Sequence, residues 1–389
     1  MRNLKRSLRF LIMGVGLVAV VVLAGPPAEV ANVSTGTDVD DIAIDVQTNT
    51  IYIIGNTILD VSFFDKIEPA EHKRVARCNL GEFGTINGTR GNRGLGINIA
   101  GDRLYVANYS ADSVSVYDAT KGELGANKVN PSPTDPSACE KEAKIASPSV
   151  RRPTGLVHNQ FDNVNLKPRD QVLVTSPPED ALVVLDATKE RKEKPEITVA
   201  KRIALKGCVG PGAVATDVSV AYVACRQSDN VVKVDLIAEA VVASAPTGRA
   251  PTDIVLVKGL GKAYTADTSS DTVTVINISG DMSSKQIKLC PPGLQTTQCL
   301  PVAVTATSNS KFVFVALSSD QSISVICART DTELTKFRAV PKTGNRPIQS
   351  LTVSPNNRYL YVSEEGDGVR VFDLNPLYDE FGGAGKACG

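Results

Sequence analysis

One unit recurs seven times along this chain, and its internal spacing hardly varies. The clearest copy is RLYVANYSADSVSVYD, ending at Asp118: an apolar run, a polar turn, a second apolar run and a closing acidic residue. TIYIIGNTILDVSFFD ends at Asp65, QVLVTSPPEDALVVLD at Asp186 and VAYVACRQSDNVVKVD at Asp235. KAYTADTSSDTVTVIN ends at Asn277, VFVALSSDQSISVIC at Cys327 and YLYVSEEGDGVRVFD at Asp373. The copies align on Tyr52, Tyr105, Leu173, Tyr222, Tyr264, Phe314 and Tyr361. The closing residue follows 13 positions later in six copies and 12 later in the last.

The anchors lie 53, 68, 49, 42, 50 and 47 residues apart. Units of this length built from several short strands point to a propeller rather than a helical solenoid. The longest gap holds a Pro- and charge-rich insertion, Lys121 to Arg152, which reads as a loop. A further strand precedes each anchor, as in LGINIAGDRLYVA, and another follows the closing residue, as in EITVAKRIAL. Asp, Asn and Gly in the turns supply tight hairpin geometry. The pattern predicts an all-β chain: a seven-bladed β-propeller of four-stranded antiparallel blades over residues 40–375. Residues 25–39 form an N-terminal segment, in which Ser34 to Asp38 is expected to close the ring, and 376–389 form a C-terminal tail.

Residues 1–24 read differently. Arg2, Lys5, Arg6 and Arg9 precede an uncharged run of 16 residues, Phe10 to Gly25. A membrane span needs roughly 20 residues, so this segment reads as a signal peptide, with Val22-Leu23-Ala24 as the cleavage signal. The mature chain would carry 38 basic and 42 acidic residues, a net charge of −4. That balance gives no argument for a nucleic-acid partner, and no membrane span is expected after cleavage. All eight cysteines follow the leader, which fits an oxidising compartment that is periplasmic, cell-surface or extracellular. Cys290 and Cys299 bracket one loop and are expected to bridge. Cys208 and Cys225 flank the first two strands of one unit on one face and are expected to pair. Cys78, Cys139, Cys327 and Cys388 have no assignable partners. No CxxC or CxxCH occurs, and His72 and His158 are the only histidines.

LYVANYSADSVSVYDATKGEL resembles the YVTN-type β-propeller repeat, found also in YncE-like exported proteins. The resemblance spans all seven units and implies an exported seven-bladed ring. Proteins with such repeats include surface-layer proteins, periplasmic binding proteins, lactonase-like enzymes and subunits similar to those of periplasmic dehydrogenases. The first and sixth copies depart from the pattern, at Ile54-Gly55 and at Cys327.

The closing residues Asp65, Asp118, Asp186, Asp235 and Asp373 read as turn caps rather than catalytic carboxylates. Arg93, Arg152, Arg249 and Arg346 stand just before first strands, and Arg226 lies between second and third strands. All five are expected at one mouth of the central channel, where they would suit a small anionic ligand or an acidic protein patch. The alternative is a solvated rim in which they pair with Asp229, Asp253 and Asp267. His158 reads as a structural histidine. The acidic start (Asp38, Asp40, Asp41, Asp45) lacks the spacing of a calcium loop, and no metal or cofactor site is expected. GxSxG, P-loop and strand–helix GxGxxG motifs are absent. The reading is an exported binding or scaffold module. Its rivals are a lactonase-like hydrolase with its site in the funnel and a propeller subunit of a periplasmic redox complex. N-terminal sequencing of the protein recovered from its native host is expected to begin at Gly25.

Overall fold

The computed structural model describes residues 27–34, 38–44, 50–56, 62–68, 70–81, 92–97, 103–109, 111–120, 144–162, 168–187, 197–290, 299–340, 346–366, 368–383 and 385–389. The expected signal peptide, residues 121–143 of the expected insertion Lys121 to Arg152, and Cys139 lie outside these; the described end of that insertion is not all loop, because Lys144–Ala146 forms the fourth strand of the second blade. Among the described residues, seven four-stranded antiparallel sheets follow one another as the blades of a β-propeller. Blade I holds β2 (Asp38–Ile44), β3 (Ile51–Asn56), β4 (Ser62–Glu68) and β5 (Lys73–Gly81), all preceded in the chain by β1 (Ala28–Ser34). Blade II holds β6 (Asn92–Ile97), β7 (Arg103–Asn108), β8 (Ser113–Asp118) and β9 (Lys144–Ala146). Blade III holds β10 (Leu156–Asp162), β11 (Pro168–Ser176), β12 (Ala181–Asp186) and β13 (Thr198–Ala204). Blade IV holds β14 (Pro211–Asp217), β15 (Val220–Cys225), β16 (Asn230–Asp235) and β17 (Ala240–Pro246). Blade V holds β18 (Pro251–Val257), β19 (Lys262–Asp267), β20 (Thr272–Asn277) and β21 (Ser284–Lys288). Blade VI holds β22 (Pro301–Ala306), β23 (Phe312–Leu317), β24 (Ser322–Cys327) and β25 (Thr332–Arg338). Blade VII holds β26 (Ile348–Val353), β27 (Tyr359–Glu364) and β28 (Gly368–Asp373), completed by β1.

The quoted repeat is β7 and β8, joined as a hairpin in which Arg103 faces Asp118 and Asn108 faces Ser113. Middle strands are buried on both faces, so they read as apolar runs rather than strict alternation. Tyr105, Val114 and Val116 of blade II pack against Val172, Val174, Val183 and Leu185 of blade III. Burying each Val or Leu contributes about 1.5–3 kcal/mol, so stacking of neighbouring blades is the main force along the ring. The innermost strands β2, β6, β10, β14, β18, β22 and β26 touch in that order, and β26 touches β2, which closes the circle.

Closure uses a different segment from the one expected. Asp38 already belongs to β2, and the completing strand is β1, paired antiparallel with β28 from Ala28 opposite Asp373 to Ser34 opposite Gly368. The reason is side-chain pattern. Ala31 and Val33 enter the core formed by Ile42, Ile51, Val369 and Val371, whereas Ser34 to Asp38 contains no apolar residue. The strand is also held electrostatically. Arg370 Nη1 donates to Glu29 Oε1 of β1 (2.9 Å), and Arg370 Nη2 lies 2.7 Å from Glu364 Oε1. The side chains of Arg370 and Glu364 are 8% and 0% exposed.

Turn capping by the closing aspartates holds where the turns are short. The Oδ1 of Asp118 accepts from Thr120 N–H, that of Asp235 from Ile237 and Ala238, and that of Asp373 from Asn375. Asp65 departs from this: it sits inside β4 opposite Ile53, because blade I has a longer second turn and its strand runs on to Glu68. Cys327, which replaces the closing Asp of blade VI, is bonded to Cys388 in the tail. Phe312 stacks edge-on against Tyr378 (5.1 Å), so the tail is fastened at blade VI. Cys290 and Cys299 are bonded as expected. No described helix is long and apolar enough to cross a membrane.

Removing Arg370 would leave Glu364 buried without its nearest cation. Arg370→Ala is expected to lose about 3–5 kcal/mol in urea unfolding, and Glu29→Gln, at the half-exposed end, about 1 kcal/mol or less.

Candidate functional site

Every inner strand except β10 shares one irregularity. A β-bulge separates Val39 from Asp41 in β2, Pro251 from Asp253 in β18 and Pro301 from Ala303 in β22. The extra residue turns side chains at the strand entrance sideways and into the channel. Hydroxyls there tie adjacent blades together. Thr252 Oγ1 donates to Val302 O (3.2 Å), Thr268 Oγ1 to Pro301 O (2.7 Å) and Thr154 Oγ1 to Pro211 O (3.1 Å). A cavity of about 790 Å³ occupies the ring at this level. Asp41, Asp253, Thr154, Thr252 and Ser350 line it, with Tyr109, Arg226 and Gln227 contributed by loops. Its size falls in the range of small-molecule sites.

Two carboxylates face this space. Asp253 Oδ1 accepts from Ile254 N–H and Oδ2 from Val304 N–H of the next blade, both at 2.8 Å. Asp253 lines the cavity, and desolvation there pushes its pKa up to about 7. The two N–H donors pull the other way, and the charge of Asp41 adds to the rise. Asp41 Oδ1 accepts from Ile42 N–H (2.9 Å) and from Ser350 Oγ of blade VII (2.7 Å). Neither residue was singled out by sequence as a channel carboxylate. The signal was present in the matching stretches Val39-Asp40-Asp41 and Pro251-Thr252-Asp253, aligned at the bulge.

Of the five arginines, Arg226 lines the cavity. It follows Cys225, whose bond to Cys208 (Cα–Cα 5.2 Å) braces the loop, as the sequence led one to expect. Arg226 N–H donates to Gly210 O and Gln227 N–H to Val209 O, both at 3.0 Å. Gly210 has a φ of +65°, and a Cβ there would meet the Gln227 side chain at 2.9 Å, so glycine permits this close loop pairing. Arg152 is exposed beside the site: its guanidinium carbon lies 5.8 Å from the Tyr109 ring centre, and its N–H donates to Asp112 Oδ1 (2.8 Å). Arg249 donates from Nη2 to Ser269 O (2.9 Å), and Arg346 Nη1 stands 4.0 Å from Glu364 Oε1. Arg93 belongs to β6, with its side chain outside the description. The five do not converge into one contact cluster.

The alternative pairing with aspartates also changes. Asp229 Oδ1 accepts from Ala250 N–H (2.8 Å), and Asp253 is engaged as above. Asp267 is buried at the end of β19. It accepts from Thr265 (2.7 Å), Thr274 (2.6 Å) and Thr272 (3.0 Å), and its pKa is raised to about 6 by burial against the pull of those hydroxyls. These carboxylates bind backbone N–H groups and hydroxyls, because those donors lie within their own or the next blade. His158 is buried in blade III, 4% exposed, with Nε2 3.4 Å from Asp170 Oδ1, and is not among the described residues lining the cavity. Among the described residues no group of three or more His, Cys, Asp or Glu side chains could hold a metal ion.

No family model matches the chain, and no curated protein matches it in sequence. Solved structures do match. The chain is similar to Raptor from Chaetomium thermophilum, with a TM-score of 0.65 and 13% identity over 89% of this chain and 29% of that one. It thus spans less than a third of the Raptor chain. It is also similar to Kuenenia stuttgartiensis hydrazine synthase (TM-score 0.61, 14% identity, 87% of this chain and 96% of that one). U3-55K gives a TM-score of 0.65 at 10% identity over 87% and 96% of the two chains. At these identities the likeness shows the propeller fold alone.

Asp267 makes stability depend on pH in a direction opposite to ordinary acid denaturation. Its folded pKa lies above the unfolded value of 3.8. The folded chain therefore holds this proton more tightly, and the stabilisation present at pH 4 fades as pH rises through about 6. The loss attributable to it is on the order of 3 kcal/mol. Asp267→Asn, whose amide can donate to the same threonine oxygens, is expected to show a shallower fall in unfolding curves measured from pH 4 to 8, the remainder coming from Asp253, whose pKa is also raised, to about 7.

Proposed function

We propose that this chain is an exported binding module that recognises a small anionic ligand, or an acidic patch of a protein partner, at the mouth of its central channel. The observation that carries this reading is the cavity of about 790 Å³ with Arg226 in its lining. That arginine has no ion-pair partner among the described residues. A guanidinium presents a planar fork of donors suited to a carboxylate or phosphate. The Cys208–Cys225 bond holds the loop before a ligand arrives, which reduces the ordering cost of binding. Arg152, Arg249 and Arg346 stand in loops at the same end of the blades. First strands begin there and second strands end there, as the pairing of Pro251 with Asp267 illustrates. They would attract an acidic partner without touching the ligand.

Three disulfides fit an oxidising compartment. With the basic, apolar leader and the YVTN-like repeats, they support a place outside the cytosol. A rigid ring that varies its loops is a general binding platform.

The test is affinity capture of the mature protein from its native envelope, with mass spectrometry of bound proteins and small molecules. Arg226→Glu is expected to weaken recovery of the specific partner about tenfold or more, and Arg249→Glu or Arg346→Glu by less. Unchanged capture across reversals at Arg152, Arg226, Arg249 and Arg346 would end this reading.

A further inference from the structure

We propose that the funnel takes a zwitterion, a small ligand whose carboxylate meets Arg226 and whose primary ammonium reaches the layer of Asp41 and Asp253. The inference rests on the mouth reading above and adds to it the chemistry of the ligand's inner end.

Strand register sets the depth of each charge. Pro211 faces Cys225 and Pro251 faces Asp267, so those pairs mark one level of the ring. Arg226 lies one residue outside that level, and Asp253, opposite Ala266, lies one residue inside it. Asp41, opposite Ile54 just after the same bulge, shares the inner level. Two residues of strand rise separate the backbone levels of the charges by about 7 Å. Alanine fills the corresponding place in blade VI, at Ala303, so no further carboxylate stands there.

This order of charge selects the ligand. A simple anion can meet Arg226, but deeper entry brings it against two carboxylates. A simple cation suits the inner layer but must pass the guanidinium. A molecule with both groups satisfies each end. Asp253 also has reason to welcome a cation. Its two oxygens accept backbone N–H bonds, and no Lys or Arg pairs with it among the described residues. Burial raises its pKa to about 7. An ammonium arriving there would favour the ionised form and release part of a proton. A metal ion suits the layer less well, because no third ligating side chain joins the two carboxylates among the described residues.

Three matched probes test this by titration calorimetry at pH 7 on the mature protein: 6-aminohexanoate, hexanoate and hexylammonium. The expected result is that 6-aminohexanoate binds at least about tenfold tighter than either monofunctional probe. Titration in buffers of different ionisation enthalpy should show proton release. Asp253→Asn and, separately, Asp41→Asn should remove the advantage of the ammonium while hexanoate binding persists. The second variant guards against loss of the Asp253–Val304 contact in the first. Arg226→Gln should weaken hexanoate and 6-aminohexanoate alike. Equal affinity for 6-aminohexanoate and hexanoate would overturn the zwitterion and leave the mouth reading standing. Hexylammonium binding as tightly as 6-aminohexanoate would overturn it from the other side. If no carboxylate probe bound, both readings would fall together.

Discussion

Each blade of this ring depends on a neighbour. A four-stranded sheet whose middle strands are apolar on both faces has no stable state alone, and it must be covered on each side by the next blade. Around a closed ring every blade is covered, so the ring stands or falls at its seam. Here the seam is in blade VII, where β1 adds the outermost strand and brings Ala31 and Val33 into the core shared with blade I. The buried Arg370–Glu364 pair, with Glu29 at its edge, fixes which segment occupies that place. An ion pair of this kind adds little net stability compared with a well-packed apolar pair, but it strongly disfavours a strand that leaves either charge unmatched.

Rigidity at the channel follows from the same closure. Because the inner strands cannot spread, Thr252 at the β18 bulge, Thr154 before β10 and Thr268 after β19 are held against carbonyls of the next blade. The carboxylates of Asp41 and Asp253 are pinned in the same way, each bonded to a group on an adjoining blade. On the outer side of that layer, the Cys208–Cys225 bond and two loop hydrogen bonds position Arg226. A preorganised wall with positive charge outside and negative charge inside is thus a product of ring closure plus a few substitutions, set in a scaffold that is otherwise repetitive.

How much of this could be read from sequence follows the range of each interaction. The strand–turn–strand unit is local, so its spacing revealed the blade count and the hairpins directly. Cys208 with Cys225, and Cys290 with Cys299, were legible because each pair lies within one unit or loop. Cys327 with Cys388 was not, because the tail's path to blade VI is a tertiary matter separated by 61 residues. The closing strand was placed a few residues late, since an outermost strand such as Ala28–Ser34 is exposed along much of its length and weakly patterned. Asp65 matched the spacing yet lies inside its strand, because a longer turn in blade I shifted the register under an unchanged count. Arg152, Arg249 and Arg346 precede first strands while Arg93 lies within β6, and whether a long side chain turns into a channel depends on its neighbours. Asp41 and Asp253 acquire meaning only when the bulges align them across the ring.

A crystal structure of the protein soaked in 6-aminohexanoate tests the layered charge of the funnel most directly. The predicted result is the molecule in the central cavity, its carboxylate on the Arg226 guanidinium and its ammonium within hydrogen-bond distance of Asp253 or Asp41. A molecule bound in the reverse sense, or seated only on the outer strands with the cavity unoccupied, would contradict the account.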